Sequence, residues 1–135
     1  MKNKLKIVLL IDDDENINLY HEIIISQLDI AEQIKTFQYA EEALDYLTTK
    51  IEGNYPQPEI IFLDINMPIM DGWQFLEKYK QLDDEQKGKI IIVMLTSSFN
   101  YDDKSKAEQI NDIGTFLNKP LTKEMLSGLM KKYFN

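Results

Sequence analysis

Apolar positions along the chain alternate between two rhythms, a continuous one and a helical one. Residues 7–11 are an unbroken apolar run behind Lys6 that ends in Asp12-Asp13-Asp14, the pattern of a strand buried on both faces. Ile17, Tyr20, Ile24 and Leu28 then recur at helical spacing, with Asp14 or a neighbour available as the N-cap, which predicts an amphipathic helix. Residues 33–37 form a weaker strand, after which Ala40, Ala43, Leu44, Leu47 and Ile51 return to the helical spacing. Turn formers crowd residues 52–58 and make a loop. A second apolar run over 60–63 delivers Asp64 into a loop punctuated by Pro68 and Asp71-Gly72, and Asp71 can cap a helix whose inward face uses Phe75, Leu76, Tyr79 and Leu82. A polar break at 83–88 precedes the clearest buried strand, 90–95, which ends at Thr96-Ser97-Ser98. Residues 101–110 form a weakly amphipathic helix and 114–118 a short strand. Lys119-Pro120 stops that strand, because proline lacks an amide donor and restricts the residue before it. Thr122 caps a last helix with Met125, Leu126, Leu129, Met130 and Tyr133 on one face.

Five alternating strand and helix units predict an α/β domain, a doubly wound parallel sheet with five helices on its two faces. At 135 residues the expectation is one domain over 1–135, with no room for a second output domain. Fifteen Lys plus Arg against 23 Asp plus Glu give a net charge of -8, which repels phosphate backbones and argues against nucleic-acid binding. There is no cysteine, so disulfides, thiolate zinc sites and a thiol nucleophile are excluded. The apolar run at 7–11 is too short for a signal sequence and no run is long enough to span a bilayer, so a cytoplasmic protein is expected. The one histidine, His21, has no second imidazole or cysteine nearby in sequence and reads as a surface or half-buried residue without a role.

In open parallel sheets ligands bind at the carboxyl ends of the strands. Asp12 and Asp13 follow the first predicted strand, Asp64 ends the third, Thr96 the fourth and Lys119 the fifth, so all five converge on one edge. Three carboxylates within about 5 Å of one another would repel by roughly 3 kcal/mol per pair at an effective dielectric near 20, and call for positive charge among them. Hard oxygen ligands favour Mg²⁺, with Mn²⁺ as the variant, and Lys119 supplies a fixed cation. A carboxylate beside a divalent cation, a lysine and a hydroxyl is equipped to take up a phosphoryl group as an aspartyl phosphate.

These residues give the chain a resemblance, over essentially its whole length, to the response regulator receiver domains of two-component signalling. The motifs that carry it are Asp12-Asp13, Leu63-Asp64-Ile65-Asn66-Met67-Pro68 with Met70-Asp71-Gly72 after it, Thr96, and Lys119-Pro120. The resemblance implies strand order 2-1-3-4-5, an order the family shares with flavodoxin. It implies phosphorylation of Asp64 from a histidine kinase or histidine phosphotransfer protein. Asp13 and Asp64 would bind Mg²⁺ directly, Asp12 through water, and the backbone carbonyl of Asn66 would complete the ligands. It further implies a cis peptide at Pro120 and a switch that couples Thr96 to Phe116, where many relatives carry tyrosine. Asn66 and Ser98 occupy positions that in the family influence phosphoryl loss. Binding of a downstream protein is expected on the face between Tyr101 and Phe134. Asn66 stands where a haloacid-dehalogenase-like phosphatase would need a second acid, and Asp12-Asp13-Asp14 would repel a flavin phosphate. A fold kept purely for interaction would not need the full set of five residues.

Overall fold

Strands β1 (Leu5–Ile11), β3 (Ile60–Asp64) and β4 (Ile91–Thr96) are made of the continuous apolar runs, and they occupy the middle of the sheet. Residues 4–97, 100–110 and 113–134 are described by the computed structural model of the chain. The less apolar β2 (Ala31–Phe37) and β5 (Ile113–Asn118) form the edges, in the order β2-β1-β3-β4-β5, all parallel. A central strand of a parallel sheet is covered on both faces, so it must be apolar throughout. All five residues of β3 are buried.

The two-residue period of a strand sends neighbours to opposite faces. Leu9, Ile11, Ile61, Leu63, Ile92 and Met94 point to one side, where α2 (Ala40–Leu47) and α3 (Gly72–Lys80) close a core with Leu47, Phe75 and Leu76. Val8, Leu10, Phe62, Val93 and Leu95 point to the other, covered by α1 (Glu15–Leu28) and α6 (Lys123–Tyr133) through Ile25, Leu126 and Leu129. Helix α5 (Tyr101–Glu108) is held less firmly, with Ala107 its one buried residue.

Capping follows the sequence closely. Asp14 accepts from the amides of Asn16 and Ile17 at the start of α1, Asp71 forms a capping box with Gln74, and Thr122 accepts from the Met125 amide. Three expectations need correction. The polar break contains a single helical turn, α4 (Asp84–Lys87), so the described residues hold six helices and not five. Ile51 is no part of α2; it lies beyond the helix and is exposed, in an isolated bridge with Asn54. The buried stripe of α1 is Asn18, His21, Ile24 and Ile25, while Tyr20 is 48% exposed, because the sheet and α6 meet a side of the helix rotated from its most apolar line. His21 is therefore neither a surface nor a half-buried residue: it is 2% exposed.

Candidate functional site

Sheet register assembles the site. Ile11 pairs with Leu63, so the next residues, Asp12 and Asp64, leave adjacent strands side by side. Asp64 in turn pairs with Leu95, and Thr96 with Asn118, which brings Thr96 and Lys119 to the same edge. Asp12, Asp64 and Thr96 are buried and Asp13 is exposed. Carboxylate oxygens of Asp12, Asp13 and Asp64 all lie within 4.8 Å of one another. Lys119 closes the group: its Nζ donates to Asp12 Oδ2 at 2.7 Å and stands 3.1 Å from Asp64 Oδ1.

Each group is fixed from behind. Asp12 Oδ1 accepts the Asp14 amide at 2.9 Å, and the Asp12 carbonyl accepts from Asn18 Nδ2 at 2.8 Å. The Lys119 amide donates to the Thr96 carbonyl at 2.7 Å, and the Lys119-Pro120 peptide is cis. The loop after Asp64 contains a three-residue turn in which the Met70 amide reaches the Pro68 carbonyl across Ile69, whose φ is 70°. The Gly72 amide then donates to the Ile65 carbonyl at 2.8 Å. A Cβ on Gly72 would stand 2.7 Å from the Asp64 carbonyl oxygen, so glycine is needed for this close approach.

Burial, then the charge of Asp12, push the Asp64 carboxyl up to about 6, against the pull of Lys119. For Lys119, burial works against the ammonium, but the hydrogen bond and charge of Asp12, with Asp64, outweigh it and raise its pKa. One ammonium among three acids leaves an excess of negative charge in a small volume. The donor set is all hard oxygen and suits a small divalent cation. Carboxylate oxygens of Asp12, Asp13 and Asp64 are close enough together to share it, and Asn66, two residues after Asp64, is exposed.

Of the remaining predicted residues, Phe116 is half-buried on β5, in register with Met94 and packed against the α2–α3 core. Ser98 lies outside the described residues. Two buried polar neighbours of the site were not legible as such in the sequence. Asn18 clamps the end of β1, donating also to the Phe37 carbonyl at 3.4 Å, and His21 Nε2 accepts the buried Leu121 amide at 3.0 Å. Their spacing, i and i+3 with Ile25 at i+7, was the available signal: polar residues in line with an apolar stripe.

The family model described as response regulator receiver domain matches residues 8–131. Among curated proteins, the chain is 32% identical over 124 residues to the probable methanogenesis regulatory protein FilR2 of Methanothrix harundinacea, covering 89% of this chain and 76% of that protein. It is 32% identical over 101 residues to hybrid signal transduction histidine kinase D of Dictyostelium discoideum, covering 73% of this chain and 6% of the kinase. Among solved structures, a two-component response regulator from Cytophaga hutchinsonii superposes with a TM-score of 0.85 at 33% identity, covering 98% of this chain and 99% of that one.

Proposed function

The chain belongs to the response regulator receiver domain family of two-component signalling, and on that premise we propose that Asp64 accepts a phosphoryl group from the phosphohistidine of a histidine kinase or histidine phosphotransfer protein. The observation that carries the reading is the buried bridge from Lys119 Nζ to Asp12 Oδ2 and Asp64 Oδ1 within the three-carboxylate cluster. An ordinary surface cluster of acids would have no reason to bury an ammonium at its centre.

In the transfer, a carboxylate oxygen of Asp64 attacks phosphorus. The new O–P bond forms as the N–P bond breaks, and the electron pair returns to the donor imidazole. Lys119 leaves its bridge to pair with a phosphoryl oxygen, and the Thr96 hydroxyl donates to another. Mg²⁺ held by Asp13, Asp64 and the Asn66 carbonyl, with Asp12 acting through water, would neutralise charge on the phosphoryl oxygens. Attack by water later returns Asp64 and inorganic phosphate.

The phosphoryl group draws Thr96 inward, and Phe116 turns into the space it leaves. That motion biases the face between Tyr101 and Phe134, which binds a downstream protein. The sparse burial of α5 supports this, since weakly packed elements move at small cost. The domain acts as a signalling switch, and no described helix is long and apolar enough to cross a membrane. A cytoplasmic location is part of the proposal, because kinase-borne phosphohistidine is the donor.

Intact-mass measurement after incubation with Mg²⁺ and a small acyl phosphate tests the central step. The protein is expected to gain one phosphoryl group and Asp64→Asn none. No gain, or an equal gain in the variant, sinks the reading.

A further inference from the structure

The 119–121 backbone is fastened on both sides of Pro120. On one side the Lys119 amide donates to the Thr96 carbonyl of β4, and on the other the Leu121 amide donates to His21 Nε2 of α1, in the buried interior. Pro120 offers no donor of its own. With Nε2 accepting, the ring proton sits on Nδ1 and the imidazole is neutral. Burial, then the charge of Lys119, hold its pKa down to about 4.

We propose that His21 is a positioning residue for Lys119: by accepting the Leu121 amide it holds the 119–121 backbone against α1 and so fixes the ammonium between Asp12 and Asp64. A lysine side chain is long and flexible, so the resting place of Nζ depends on where its backbone is held. Leu121 is 0% exposed. Deprived of its acceptor, its amide would be a buried orphan, and the loop recovers that loss by shifting toward water. The shift carries Lys119 with it. Burial of the Leu121 side chain resists, so the displacement is partial and the expected effect is a slower reaction, not its loss.

Retreat of the ammonium has a signature that general loosening lacks. Phosphorylation slows because Lys119 no longer meets the phosphoryl oxygens. Mg²⁺ binds more tightly, because the carboxylates lose the cation that neutralises them.

The inference rests on Asp64 phosphorylation for its rate readout only. The test compares the full chain with His21→Leu and His21→Gln, whose side-chain carbonyl can accept the same amide. The leucine variant is expected to phosphorylate from acyl phosphate about tenfold more slowly. It should bind Mg²⁺ about threefold more tightly by calorimetry and lose hydrogen-exchange protection at Leu121. The glutamine variant stays within about twofold of the unsubstituted protein in rate and Mg²⁺ affinity and keeps the protection. A leucine variant with unchanged rate, or with rate and Mg²⁺ affinity both weakened, overturns the proposal. Should that variant fail to fold, the unsubstituted protein decides. A nitrogen–nitrogen coupling through the hydrogen bond from Leu121 to His21 supports the contact, and its absence overturns it. If the unsubstituted protein takes no phosphoryl group, the reading of Asp64 falls, while Mg²⁺ affinity and Leu121 protection still judge His21.

Discussion

Asp64 and His21 are both buried and titratable, and they pull stability in opposite directions. The Asp64 carboxyl rises from 3.8 to about 6 on folding, so the native state holds that proton more tightly and stability falls as pH climbs through this window. His21 drops from 6.5 to about 4, so the unfolded state holds that proton more tightly and stability falls as pH descends through nearly the same window. Each effect is worth roughly 3 kcal/mol by order of magnitude, and together they nearly cancel. Denaturant titrations of the metal-free protein between pH 4 and 6.5 are therefore expected to show little slope from these two groups. Asp64→Asn removes one limb and should leave stability rising with pH relative to the unsubstituted protein. His21→Gln removes the other and should leave it falling. Identical slopes in both variants would contradict the assignment.

The loop from β3 into α3 is the element that sets the place of Asp64. It must reverse direction within the residues between Asp64 and Gly72, and it does so with the Pro68 to Met70 turn and the Gly72 amide on Ile65. The helix then starts on its own capping box. Gly72→Ala places a methyl against the Asp64 carbonyl oxygen, at 2.7 Å without relaxation. Backbone rather than a flexible side chain is in the way, so the loop must move. The expected cost is about 1–3 kcal/mol in stability, read as a lower denaturation midpoint, together with slower phosphorylation because Asp64 moves with its carbonyl. Asp71→Ala removes only the cap beside that glycine, and a midpoint lowered by about 1 kcal/mol of stability is expected.

For the molecule as a whole, the proposed switch requires that a change at Asp64 reach α5. The chain's one tryptophan, Trp73, lies one residue after Gly72, and Lys106 of α5 places its Nζ 4.5 Å from the ring centroid. A shift of α5 alters that contact, so phosphorylation is expected to change Trp73 fluorescence. Phe116→Ala should still gain the phosphoryl group by mass yet lose most of the fluorescence change. A variant that keeps the full change takes Phe116 out of the switch.

The sequence by itself determined the units of this protein and the chemistry at their ends. Apolar runs in β1, β3 and β4 carry the pattern of strands covered on both faces, and Asp12, Asp64, Thr96 and Lys119 each follow or end a strand, so their convergence on one sheet edge was legible. The caps Asp14, Asp71 and Thr122 were legible as well, because a cap is a local contact. Tertiary structure decided what local pattern cannot carry. Register set Asp12 beside Asp64 and gave Lys119 two carboxylates to bridge. The elements packed on α1, not its own apolar count, chose which side was buried, and so turned His21 and Asn18 from bystanders into braces. The reason is physical: a helix exposes every side chain to its surroundings in turn, and only its neighbours determine which of them lose contact with water.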